Sequence, residues 1–421
     1  LAEVGLLSPQ DWQNLPAFPQ DRVDYPAVRA FKGFLLRKAF EKFKASGRFR
    51  AEFEAFCCQQ AHWLDDYALF MALKEAHRGA AWNEWAPELA LRHPEALEDA
   101  RQKLAEEILF HKFSQFIFDW QWKALRGYAA EKGIRFIGDI PIYVAYDSAD
   151  VWAHPEFFQL DEKGLPTVVA GVPPDYFSST GQLWGNPIYR WEVLAESGYD
   201  WWIKRFSRVL ECVDVVRVDH FRGFEAYWEV PAGEETAIRG RWVKGPGAEL
   251  FNALKSALGE IPIIAEDLGF ITPEVEALRE QLGFPGMKVL QFAFGSGPDN
   301  PHLPHNYPRN CVVYPGTHDN DTAIGWFNSA PEGVREHFCK YTGTDGREVN
   351  WVMARLALAS VADLAVIPLQ DVLGLGSEAR MNYPGRPEGN WQWRFLPGSL
   401  TPEMKSRLAE LTSLYGRWRE E

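Results

Sequence analysis

Past Gly133 the sequence turns from helical patterning to short β-branched runs separated by helical stretches, and no other feature restricts the fold as tightly. The runs are IRFIGDIPIYV (134–144), CVDVVRVDHF (212–221), IPIIAEDLGF (261–270), MKVLQFAF (287–294), CVVYPGTHDND (311–321) and LAVIPLQDVLG (364–374). Buried-type strands alternating with helices imply a parallel sheet covered on both faces. Helix ends are readable between them. Thr272 and Pro273 open one helix and Gly283 closes it, and Thr401, Pro402 and Gly416 repeat the device. Residues 1–130 show helical spacing and no strand pattern, as in YPAVRAFKGFLLRKAFEKFKASG (25–47). They are expected to form a mainly helical insertion subdomain, with a β/α region over 131–421. Inside that region an insertion at about 145–211 holds PPDYFSSTGQLWGNP (173–187), a loop of the length that is usually functional.

The run VDVVRVDHF (213–221) carries the first chemistry. Side chains alternate along a strand, so Val213, Val215, Arg217 and Asp219 share one face, and Val216 and Val218 the other. Alone, Arg217 and Asp219 read equally well as a structural ion pair at a strand end. Other runs repeat the pattern: Glu266 and Asp267 end one, Asp139 lies in another, and His318, Asp319 and Asp321 end a third. Burying unpaired carboxylates is costly, so carboxylates gathered where strands run out point to an active site at the C-terminal ends of the strands. Neighbouring strands lie about 4.8 Å apart, which suits a nucleophile and a general acid separated by roughly 5 Å, as in retaining glycoside chemistry. Asp219 and Glu266, on consecutive runs, are the candidate pair.

Composition removes other classes. With 58 acidic and 44 basic residues the chain carries a net charge of −14, which argues against nucleic acid or an anionic membrane as partner. No apolar stretch approaches the roughly 20 residues of a membrane span. Phosphate-binding glycine loops are missing, so no cofactor is expected. His220 and His318 lack the spacing of a recognised metal site, and no metal is expected either. The five cysteines are an odd number without metal spacing, as suits a reduced, cytoplasmic protein. Eighteen tryptophans could pack a large core, present flat platforms to sugar rings, or do both.

The segments VVRVDHFRGF, IIAEDLGFIT, GTHDNDT and GDIPIYV resemble the signature segments of glycoside hydrolase family 77, the amylomaltases or 4-α-glucanotransferases of the α-amylase clan. The likeness extends to FPQDRVDYP near the start, to the 173–187 loop, and to ARMNYPGRPEGNWQWR (379–394). It implies a (β/α)8 TIM barrel with helical and loop insertions. In that barrel the Asp139 strand would be the third, and the chain opens with Leu1, so the first two β/α units are expected to be absent. By the resemblance Asp219 is the nucleophile, held ionised and oriented by Arg217. Glu266 is the general acid and then the base, its pKa raised by neighbouring carboxylates. Asp319 and His318 would bind hydroxyls of the distorted sugar, and Asp139 and His220 would contact the same sugar. Asp175 and Trp184 would belong to a flexible acceptor-side loop, though Trp184 could equally be loop packing, and Asn390 and Asn382 are further substrate-contact candidates. The implied activity is transfer of α-1,4-glucan segments by retaining double displacement, with maltooligosaccharides and starch- or glycogen-derived glucans as partners. A hydrolase or branching enzyme of the same clan would share the three carboxylates, but its C-terminal β-sandwich is not expected here, where the last pattern read is a helix. A non-catalytic glucan-binding barrel would be expected to have lost one of them.

Overall fold

The structure is a computed structural model that describes residues 1–13, 15–174 and 178–418. It divides into two compact units, Leu1–Gln13 with Phe34–Gly283, and Asn14–Gly33 with Phe284–Glu421.

In the first unit, helices Arg50–Ala76 and Ala105–Glu131 pack against each other and against the latter part of helix Tyr25–Ser46. Phenylalanines at helical spacing form the seam. Phe40 meets Phe113 at 5.5 Å between ring centres, Phe43 meets Phe53 at 5.1 Å, and Phe53 meets Phe116 at 5.7 Å, all of them buried. Such tilted and edge-on pairs add to the burial of the rings themselves.

The strands, in chain order, are β1 (Ile137–Ile140), β2 (Val168–Val172), β3 (Gln182–Pro187), β4 (Val215–Val218), β5 (Ala226–Pro231), β6 (Arg241–Lys244), β7 (Ile263–Ala265), β8 (Gly286–Val289), β9 (Cys311–Tyr314) and β10 (Leu364–Ala365). Every β-branched run read from the sequence overlaps one of them. In the first unit β1, β4 and β7 form a parallel sheet in that order, with Asp139 opposite Arg217 and Arg217 opposite Ile264. In the second, β8, β9 and β10 form another parallel sheet, centred on β9. Pairing among the described residues shows the α/β class and does not show a closed barrel.

An antiparallel sheet in the order β3-β2-β5-β6 has no counterpart in the sequence reading. It absorbs part of the 145–211 insertion and also the aromatic stretch after Asp219, where a short helix, Arg222–Glu225, leads straight into β5. The second unit packs helix Val349–Ala359 on its sheet through Val349, Met353 and Ala357, with Val313, Phe294 and Phe338 in the same buried cluster. Trp82, Trp152 and Trp202 are fully buried, whereas Trp184, Trp242 and Trp391 present surface. All five cysteines are free. Among the described residues no helix is long and apolar enough to cross a membrane.

Candidate active site

Register in the first sheet decides which side chains meet. Arg217 and Asp139 are direct cross-strand partners, so they point to the same face. Asp219 lies two residues beyond Arg217, and Glu266 two beyond Ile264, so both share that face. The ladder continues past the strands: Asp219 N donates to Ile140 O, Glu266 N to Val218 O and Phe221 N to Glu266 O, each at 3.0 Å. Three strand ends are thereby tied together at the point where their carboxylates emerge.

Arg217 sits among them, only 9% exposed. Its Nη1 donates to both oxygens of Asp139 at 2.7 and 2.9 Å, and its Nη2 lies 3.0 Å from Asp219 Oδ1. Glu266 is held differently. Its Oε2 accepts from His220 N at 2.7 Å and its Oε1 from Leu268 N at 3.0 Å. Asp267 points the other way, into a buried pair with Arg279 at 3.1 Å.

His220 adopts a left-handed backbone, φ 49°, which turns its ring back over the strand end. Gly223 leaves room for it: a Cβ there would lie 2.7 Å from Ile142 Cδ1 and 3.0 Å from His220 Cδ2. The edge of the Trp184 ring meets the imidazole with 4.8 Å between centres and 84° between planes. Trp184 stands on β3, not in a loop, and remains 37% exposed. Asp175 lies outside the described residues.

The second unit holds the other candidates. After β9, His318 Nε2 lies 3.3 Å from Asp319 Oδ2, and Asn382 Nδ2 donates to Asp319 Oδ1 at 2.6 Å. Arg380 donates to the Asp319 carbonyl at 2.7 Å. Asn382 is thus brought to Asp319. Asn390 is committed elsewhere, its Oδ1 accepting from Tyr383 N and its Nδ2 donating to Arg386 O. Two residues here were not singled out from the sequence. One is Arg380, and the other is Trp391, whose exposed ring stands 5.2 Å from that of His318.

The family model described as 4-alpha-glucanotransferase, glycoside hydrolase family 77, matches residues 1–400. The chain belongs to that family. It is 57% identical over 418 residues to the 4-alpha-glucanotransferase of Thermus thermophilus, covering 97% of this chain and 83% of the relative. The Synechocystis 4-alpha-glucanotransferase is 53% identical, covering 99% and 84%. Among solved structures, an amylomaltase from Streptococcus agalactiae in complex with acarbose superposes with a TM-score of 0.95 at 40% identity, covering 99% of this chain and 85% of that one. The chain is accordingly an enzyme of glucan transfer.

In this family 77 chain the two carboxylates of the first unit sit in contrasting surroundings. Burial works against the charge of Arg217, but Asp139, Asp219 and Glu266 outweigh it and hold its pKa above the ordinary value. Asp219 therefore faces a permanent cation. Burial also pushes the Glu266 carboxyl up to about 7, and the charge of Asp219 adds to the rise, against the pull of Arg217 and of the His220 and Leu268 N–H groups. The sequence reading credited that rise to neighbouring carboxylates; burial is the larger cause. Burial, helped by Arg222, brings His220 down to about 3, so its imidazole is neutral. Its Nε2 is buried and has no hydrogen-bond partner among the described residues.

Proposed function

We propose that this chain transfers α-1,4-glucan segments by retaining double displacement, with Asp219 as nucleophile and Glu266 as acid and base. One observation carries the reading. β4 and β7 are hydrogen-bonded neighbours in a register that aims Asp219 and Glu266 to one face, and neighbouring strands are about 4.8 Å apart, close to the roughly 5 Å of retaining pairs. Asp219 attacks the anomeric carbon of the donor while Glu266 gives its proton to the departing 4-oxygen. The resulting glycosyl ester is then attacked by the 4-hydroxyl of an acceptor glucan, whose proton returns to Glu266 as the bond to Asp219 breaks. A carboxyl that ionises at about 7 suits both halves of that cycle. Arg217 orients Asp219 and is itself anchored by Asp139. His220, whose imidazole is neutral, and Trp184, whose ring packs on it, are assigned by the resemblance to contact the sugar.

The role of Asp319 rests on the resemblance of GTHDNDT and is supported by a carboxylate oriented from both sides. In that role it binds hydroxyls of the distorted sugar and favours the oxocarbenium-like transition state, with His318 and Asn382 holding it. Asn390 contributes by shaping the 383–390 turn, and Asp175 is assigned to the acceptor side by resemblance alone. Maltooligosaccharides and starch- or glycogen-derived glucans are the proposed substrates, supported by the acarbose bound to the Streptococcus agalactiae amylomaltase. The free cysteines support a reducing, cytoplasmic setting. Incubation with maltotriose tests the transfer. A ladder of longer chains should appear with nearly constant total reducing ends, and reducing ends that rise in step with substrate loss would identify a hydrolase.

A further inference from the structure

His318 and Asp319 lie on the loop that joins β9 to helix Ala323–Ser329. Side chains satisfy the first N–H groups at that junction. Asp321 Oδ1 accepts from Thr322 N at 2.8 Å, Thr322 Oγ1 from Gly325 N at 3.1 Å, and Asp371 Oδ1 from Ala323 N at 2.7 Å. Asp371 belongs to the next β/α segment, in the short helix Leu369–Val372 after β10. It is 2% exposed, its main-chain carbonyl accepts from Asn350 Nδ2 at 2.7 Å, and its Oδ2 has no hydrogen-bond partner among the described residues. A carboxyl placed this deep with half its capacity unused is destabilising, and capping one short helix does not require it, because Thr322 already caps that helix.

We propose that Asp371 is a positioning residue for glucan transfer, holding the 317–322 loop, and with it Asp319, through the N–H of Ala323. This deepens the reading of Asp319 given above and rests on it. The junction has no slack to absorb a shift: a Cβ on Gly325 would lie 2.4 Å from Ser377 Oγ and 2.5 Å from Asp321 Oδ1. Ser377 Oγ donates to Asp321 Oδ2 at 2.6 Å, and further along the same segment Arg380 and Asn382 grip Asp319 itself. Asp371 fixes the far end of the loop that those residues fix near its middle. Releasing Ala323 lets the loop rotate about the Arg380 and Asn382 contacts, which misaims a carboxylate whose worth lies in the transition state.

The test uses the full chain and maltotriose, with kcat, KM and thermal unfolding measured for each variant. Asp371→Ala should lower kcat by about tenfold or more and change KM by less than about threefold, as expected for an interaction realised in the transition state. Asp371→Asn keeps an acceptor oxygen for Ala323 and should restore kcat to within about threefold of the parent. Met353→Ala, which opens the core of the same unit, should lower the unfolding temperature and leave kcat in place below it. If the alanine variant does not fold, Asp371→Leu, branched at Cγ like asparagine but bulkier and without an acceptor, carries the same expectation. The double variant Asp319→Asn/Asp371→Ala should be no slower than Asp319→Asn, because the two changes act through one group. Multiplying losses would overturn the proposal, as would Asp371→Asn as slow as Asp371→Ala. A normal kcat in Asp371→Ala beside an inactive Asp319→Asn would overturn the positioning role alone, whereas an active Asp319→Asn would remove the reading of Asp319 as well.

Discussion

Glu266→Gln separates the charge of the proposed acid/base residue from its shape. In the folded protein this carboxyl ionises at about 7, against 4.5 for an unperturbed glutamate. Each pKa unit corresponds to about 1.4 kcal/mol, so above both values ionisation of Glu266 opposes folding by about 3 kcal/mol. The folded pKa is the higher one. Glu266 therefore contributes most to stability below its unfolded value, and that contribution is lost as pH rises through about 7. Glutamine has no such proton to lose. It does lose an acceptor, since His220 N and Leu268 N both donate to the carboxylate and an amide offers one oxygen, a penalty of about 1 kcal/mol that does not vary with pH.

At about pH 5 ionisation opposes folding by only ~1 kcal/mol, so variant and parent should be nearly equal in stability, whereas at about pH 8 the variant should be more stable by ~2 kcal/mol. Urea unfolding at both pH values, followed by tryptophan fluorescence, measures the difference. The same stability difference at both pH values would refute the reasoning, because it would mean that Glu266 ionises alike in the folded and unfolded chain. The same shift sets the activity profile of the parent: kcat/KM should fall above a pH of about 7 as the acid form disappears.

Asp219→Ala should reduce kcat/KM by ~10³-fold or more, about 4 kcal/mol of barrier, and mass spectrometry of the quenched enzyme should detect no glycosyl adduct; a near-normal rate would end the assignment. Asp267→Ala should cost about 3 kcal/mol of stability by stripping a buried partner from Arg279, with kcat of the folded enzyme preserved; an unchanged unfolding temperature would contradict the buried pair. Gly223→Ala should displace His220 or Ile142 and lower stability by roughly 1–3 kcal/mol; an unchanged unfolding temperature would contradict the close packing at Gly223.

The parallel strands were legible because each lies in a short, largely apolar and β-branched run set between helical stretches, even where Asp139 or Arg217 interrupts it. Strands β3 and β6, QLWGNP and RWVK, were not. They are polar or interrupted by glycine and proline, and it is pairing with β2 and β5 that holds them extended. Period-two alternation placed Arg217 and Asp219 on one face, whereas it is the β4–β7 register that brings Glu266 to the same face. By the same rule Asp267, next to Glu266, falls on the opposite face, and alternation cannot show Arg279 waiting there. Trp391 was part of a segment quoted for its resemblance, yet only the fold brings its ring to His318 across some 70 residues of sequence. Asp371 reads from sequence as an ordinary acidic residue after a strand, and depth alone sets it apart.

The two carboxylates of the first unit show how one sheet produces opposite chemistry from similar side chains. Both leave adjacent strands at the same level and on the same face, so alternation and register cannot distinguish them. The difference comes from what meets each one. Asp219 meets a guanidinium that is itself locked by Asp139, and thus a charge that cannot be withdrawn. Glu266 meets backbone N–H groups supplied by the chain as it turns out of β4 and out of β7, within a buried setting that opposes its charge. The left-handed turn at His220 joins the two effects. It aims its own N–H at Glu266 while swinging its ring onto Trp184, so one unusual backbone angle serves both the proposed acid and the candidate sugar contact. A residue in that conformation carries strain that only a well-determined neighbourhood sustains. Gly223, the β4–β7 ladder and the Trp184 ring provide that neighbourhood.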